Sequence, residues 1–194
     1  MFFASSVTLA VTSIIFNPNL VQKIFFPREI LPVSIVFASL IEFTLQLIIF
    51  LPIVFIFGPS PGMTLFLLPV LIIFQTIFTI GFALLVSSLC VYLRDVKHLL
   101  DVVLMMWFWL IPIVYEAAYV QGVNIGGKIL TNTIKTIILH NPLSSFIISY
   151  KDIILNNMIP SPVRWIEVII YSIVAIVLGN FIFDKLSGEF AENL

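Results

Sequence analysis

The chain reads as an all-α protein, a polytopic bundle of membrane-spanning helices. Two features of the sequence predict this. Of its 194 residues, 61% are hydrophobic and only 10% are charged, whereas a soluble domain carries about a quarter charged residues. The apolar residues are also gathered into stretches near the ~20 residues that a spanning helix needs, separated by short polar or Pro/Gly-containing segments. Too few polar side chains remain to coat a water-facing surface.

Four complete spans are predicted by length and low charge, roughly over 33–57, 64–92, 99–115 and 166–183, preceded by a partial span over 2–16. The apolar run after Met1 ends near Phe16, about 15 residues and short for a span, so the chain is expected to enter partway through a helix. Gly58 to Met63 (GPSPGM) is a tight turn by its glycine and proline content. Leu93 to His98 (LRDVKH) is a short connection. In KILTNTIKTIIL (128–139) the isoleucines fall largely opposite Lys128 and Lys135, which suggests a short interfacial helix. Asn141-Pro142 breaks the chain. LSSFIISYKDIIL (143–155) is apolar but too short to span, a length that suits a re-entrant or surface-lying helix.

Alternating the sides of the membrane groups 17–32, 93–98 and 184–194, opposite 58–63 and 116–165. The first group holds Lys23, Arg28, Arg94, Lys97 and Lys185 in short segments, and the positive-inside rule favours it as cytoplasmic.

Several kinds of chemistry are excluded. No G-x-x-x-x-G-K-[ST] phosphate loop is present. No His/Cys/Glu cluster has metal-ligand spacing, and no nucleophile–base pair can be assembled, so no catalytic residue and no metal site are expected. The formal net charge of −1 and the lack of a basic run argue against nucleic acid. The lone cysteine, Cys90, cannot form an internal disulfide.

The segment NPNLVQKIFFPREILP (17–32) is a compact charged island between two apolar stretches. Asn17-Pro18 ends the first helix, because the residue before proline avoids helical geometry. A short helix follows from Asn19, with Leu20 facing Ile24 and Val21 facing Phe25 at i,i+4, and Pro27 stops it. Such a stub suits insertion into a groove on another protein. A membrane-surface loop with snorkelling cations fits it equally well.

Within the spans, Ser39, Glu42 and Gln46 share one helical face. An ionisable group at that depth should face protein or a water-filled path rather than lipid. It would either line a transport path or hydrogen-bond between helices. Ala83/Ser87 and Ala175/Gly179 are small-x-x-x-small pairs that allow close helix approach.

These motifs bring a family into view. NPNLVQKIFFPREILP closely resembles the cytoplasmic segment of ABC transporter permeases that export polysaccharides and polyol phosphates (the O-antigen, capsule and teichoic-acid type). The likeness continues in order through SSLCVYLRDVKHLLDVVLMMWFWLIPIVYE (87–116), HNPLSSFIISYKDIIL (140–155) and GNFIFDKLSGEFAENL (179–194). It implies a single exporter transmembrane domain over 1–194, without the interface helix, first span and part of the second span of an intact, six-span member. Roughly 60–70 family residues would lie upstream, enough for a surface helix and one and a half spans.

The resemblance also implies roles. Lys23, Phe25, Phe26, Pro27, Arg28 and Glu29 would form the coupling contact with a separate ATP-hydrolysing subunit. Arg94 and Asp95 would form a second cytoplasmic contact, or simply a local ion pair. Glu42, Trp107, Phe108, Trp109 and Tyr115 are candidates for the channel lining, although adjacent helical residues point ~100° apart and a tryptophan near a span end serves equally as an interface anchor. Asn141 and Pro142 would mark an outer gate, or a plain turn. The implied protein is the permease subunit of an exporter of lipid-linked glycan in the inner membrane. It would pair with a second copy and with an ABC ATPase subunit that binds ATP and magnesium, this chain holding no cofactor itself. A permease for a drug or lipid, or a non-functional truncated remnant, are the alternatives.

Overall fold

A computed structural model describes residues 1–21, 27–58, 60, 62–111, 124–125, 128–129, 136, 138–188 and 190. The helices are α1 (Phe2–Ala10), α2 (Pro18–Val21), α3 (Ile30–Phe57), a 3₁₀ turn (Met63–Leu67), α4 (Leu68–Tyr92), α5 (Val96–Leu110), α6 (Pro142–Ile154) and α7 (Pro162–Ser187). The architecture is that of a helical bundle. Among the described residues the only extended pairing is a two-residue antiparallel ladder of Asn124–Ile125 with Lys128–Ile129.

Three helices are long and apolar enough to cross a membrane: Ile30–Phe57, Met63–Tyr92 and Pro162–Ser187. The stretch expected to span over 99–115 is helical from Val96 to Leu110, and its continuation from 112 to 115 lies outside the described residues. Fifteen residues rise only about 22 Å, less than the ~30 Å hydrocarbon core. α1 ends at Ala10, short of the expected Phe16, and turns follow it, whereas α7 and α3 run past their expected starts. α7 takes in Arg164 at its start and Asp184 and Lys185 at its end, because backbone hydrogen bonding continues after the side chains leave hydrocarbon. α3 starts at Ile30 and accepts Pro32 in its first turn, where no intrahelical N–H bond is lost.

The interfacial helix expected over 128–139 does not begin at Lys128. Lys128 and Ile129 sit in the ladder, with Asn124 opposite Ile129 and Ile125 opposite Lys128. Helical geometry is described only towards the end of that stretch, at Thr136, Ile138 and Leu139.

The heart of the bundle is the α4–α7 pair, the most extensive helix contact. Small residues make it. A Cβ added to Gly179 would collide with the Gly81 carbonyl, and one added to Gly81 would collide with the backbone of Ala175 and Ile176. The Ala175/Gly179 pair thus meets Gly81 across the interface, as small-residue packing requires. Ser172 reinforces it by donating to the Phe74 carbonyl at 2.8 Å. Several other buried hydroxyls are satisfied within their own helices, as in Ser6 to Phe2, Thr79 to Gln75 and Ser149 to Ser145, which is how apolar surroundings tolerate them.

The two ends of the bundle are distinct. At one end, 17–32, the α4 terminus and the α7 terminus converge in a cluster of Ile14, Val21, Leu84, Val91, Phe183 and Phe190. At the other, Asn157 donates to the Ser60 carbonyl (2.8 Å) and Thr64 to the Ile153 carbonyl (3.1 Å). Described residues of 17–32 and 184–190 are therefore neighbours in space, as are Ser60 and Asn157 of the opposite group.

Candidate functional site

At the first end, Asn17 turns back and donates to the Ser13 carbonyl (2.9 Å), and α2 begins at Pro18, the proline-first arrangement that helix starts favour. Lys23, Phe25 and Phe26 lie outside the described residues. Pro27 and Glu29 are exposed, and their carbonyls accept from Ile30 and Val33, so this stretch winds directly into α3. Arg28 differs from its neighbours. Its Nε donates to the Val21 carbonyl (3.3 Å), a terminal nitrogen donates to the Ser187 carbonyl, and the guanidinium lies 6.0 Å from the centroid of the Phe190 ring. Tyr92 joins the same place by donating to the Leu186 carbonyl (2.9 Å). Arg94 and Asp95 are exposed on the turn between α4 and α5. They are not ion-paired with each other: the salt bridges among the described residues are His140–Glu167 and Arg164–Glu167.

Midway through the bundle lies a cavity of about 600 Å³. Aromatic side chains dominate its wall, among them Phe2, Phe3, Phe43, Trp107, Phe146 and Tyr150. The indole of Trp107 meets Phe3 edge-on at 5.9 Å and Phe82 at 6.0 Å, the geometry that aromatic quadrupoles prefer. The Tyr150 hydroxyl donates to Gln75 Oε1 at 2.6 Å. Burial pushes the Tyr150 pKa up from its ordinary value, which keeps the phenol a donor.

The expected channel residues separate here. Trp107 and Phe108 line the cavity. Trp109 is 64% exposed and is not in its wall. Glu42 borders a small adjoining pocket with Ser5, Ser39 and Gln46; it is exposed in the single chain. Tyr115 lies outside the described residues.

Beyond the cavity, Asn141 caps α6. Its Oδ1 accepts from the backbone N–H groups of Leu143 (2.9 Å) and Ser144 (3.4 Å), and Pro142 occupies the first turn. This is the preferred chemistry of a helix start. The same oxygen accepts from Trp107 Nε1 at 3.0 Å. A cavity-lining aromatic and a residue of the expected outer gate are thus directly bonded.

A polar network at this end was not foreseen from the sequence. Glu167 accepts from Ser145 (2.6 Å) and Arg164 (2.8 Å) and pairs with His140. Arg164 also donates to the Leu139 carbonyl (2.6 Å), and Tyr171 donates to the His140 carbonyl. The i,i+3 spacing of Arg164 and Glu167 at a helix start was a usable signal. It was obscured because the span was expected to begin after Arg164.

No protein-family model matches the chain. Aligned over 194 residues, it is 29% identical to the O-antigen export system permease protein RfbA of Klebsiella pneumoniae, covering 99% of this chain and 70% of that protein. It is 26% identical to the protein of the same name from Myxococcus xanthus, covering 100% of this chain and 72% of that one. The chain is similar to O-antigen export permeases. The likeness to export permeases read from the four motif segments is borne out over the whole length. In this chain, the exposed Pro27 and Glu29, the aromatic cavity and the Asn141 cap follow one another from one end of the bundle to the other.

Proposed function

We propose that the chain is the transmembrane permease subunit of an ABC exporter that moves a lipid-linked polysaccharide or polyol phosphate polymer out across the cytoplasmic membrane. The observation that carries this reading is the full-length similarity to O-antigen export permeases. Three long apolar helices and the motif order support it. The permease does no bond chemistry. ATP and magnesium bind to a separate ATPase subunit, and two copies of each subunit assemble.

In this reading the end bearing 17–32, 93–98 and 184–194 is cytoplasmic. Lys23, Phe25, Phe26, Pro27 and Glu29 touch the ATPase, with Arg94 and Asp95 as a second contact. Closure of the motor pushes on this element, and the bundle shifts access for the glycan past Trp107 and Phe108 towards Asn141 and Pro142. Stacking of sugar rings on aromatic faces is the chemistry such a wall offers.

The test is co-expression with the ABC ATPase subunit of the proposed exporter, followed by purification. Phe25→Ala with Glu29→Ala is expected to lower ATPase co-purification and stimulated ATP hydrolysis together. Unchanged values for both would remove the docking role from this segment.

A further inference from the structure

The three described residues of the coupling element do not behave alike. Pro27 and Glu29 are exposed, while Arg28 is half-buried and turned inwards. One of its carbonyl acceptors belongs to Val21 of α2, and the other to Ser187, the last residue of α7. Carbonyls in the last turn of a helix have no intrahelical partner and carry the negative end of the helix dipole. A guanidinium supplies several donors in a fixed fork, so one side chain can serve both the Val21 carbonyl and the end of α7. Its remaining face lies over Phe190, a fully buried ring packed edge-on against Phe183 at 5.5 Å and against Tyr92 at 6.3 Å. No carboxylate pairs with Arg28 among the described residues.

We propose that Arg28 is a positioning residue that clasps α2 to the C-terminal end of α7, so that displacement of the coupling element is passed to α7 and, through the Gly81–Gly179 contact, to α4. This rests on the coupling role proposed above. It assigns Arg28 a different task from its neighbours: they receive the motor's force, and Arg28 hands it on. The alternative is that Arg28 is itself a contact with the ATPase.

Hydrogen–deuterium exchange of the purified permease–ATPase complex separates the two. Arg28→Ala is expected to speed amide exchange about tenfold in 184–190, where charge-assisted bonds are lost, and to leave 142–154 at the far end unchanged. ATPase co-purification stays within about twofold of the parent, while export per ATP hydrolysed falls at least about fivefold, because the contact survives and the linkage does not. Arg28→Lys, which keeps the charge but loses the fork, gives an intermediate result. If Arg28→Ala sheds the ATPase while exchange in 184–190 is unchanged, Arg28 is a partner contact and the clasp is wrong. Should Arg28→Ala fail to fold, Phe190→Leu reads the same linkage; unchanged exchange in 184–190 and unchanged export per ATP would overturn it. Failure of the coupling role is recognised separately, by Phe25 and Glu29 variants that leave co-purification untouched while the exchange response to Arg28→Ala persists.

Discussion

Trp107 and Asn141, 34 positions apart in the chain, share a 3.0 Å hydrogen bond through the same carboxamide oxygen that caps α6. One atom therefore ends a helix properly and fixes an indole in the cavity wall. Asn141→Ala should lower stability by about 1–2 kcal/mol, the cost of a lost cap. Trp107→Phe keeps the ring but not the donor and should cost about 1 kcal/mol. Thermal unfolding in detergent checks both, and the double variant should be non-additive by at least about 0.5 kcal/mol. Simple additivity would mean that the two side chains act independently.

Gly81 and Gly179 permit no side chain at their crossing. Gly179→Val should cost about 3 kcal/mol or more, since backbone rather than a flexible side chain must yield. Gly188→Ala is the control: a Cβ there meets nothing. Denaturation in mixed micelles should separate the two variants clearly. Equal midpoints would contradict the close approach.

Glu167 gathers Arg164, Ser145 and His140 at the start of α7. Glu167→Ala leaves a half-buried guanidinium without its carboxylate and should destabilise by about 2–3 kcal/mol. Glu167→Gln retains an acceptor and should lose less. The readout is protease sensitivity of the segment around 139–145, expected to rise in the order parent, Gln, Ala.

Tyr150→Phe removes the donor to Gln75 inside the cavity. The unpaired amide should cost about 1–2 kcal/mol. Phe108→Ala enlarges the same wall without orphaning a polar group, so it should alter export more than melting temperature. A pair of activity and unfolding measurements on each variant tests this division.

Much of the fold was legible. Runs such as Val33–Phe57 and Leu65–Tyr92 admit few other readings, because apolar length and missing charge are direct consequences of hydrocarbon as solvent. Proline, glycine and asparagine marked the connections for stereochemical reasons, and Asn141-Pro142 proved to be a helix cap as well as a break. What escaped was long-range. Nothing near Arg28 in sequence points to Ser187, 159 positions away, and a basic residue in a charged island reads most simply as a surface contact. Trp107, Phe108 and Trp109 are adjacent letters, and only the rotation of α5 sends two into the cavity and one away. Glu167 was hidden by boundary placement, since a hydropathy window stops where charge begins while a helix continues.

The length of α3 has a consequence for the membrane in which the chain works. Its 28 residues extend about 42 Å, well beyond an average hydrocarbon core of ~30 Å. Exposed Ile41, Ile48, Ile49 and Ile56 along it favour immersion, and leaning is one way for such a helix to relieve the mismatch. Its first residue lies two positions after Arg28, and a change of lean swings that end sideways. In the coupling reading proposed above, bilayer thickness is a variable of coupling: lipids with shorter acyl chains are expected to shift that end of α3 without any change in the protein.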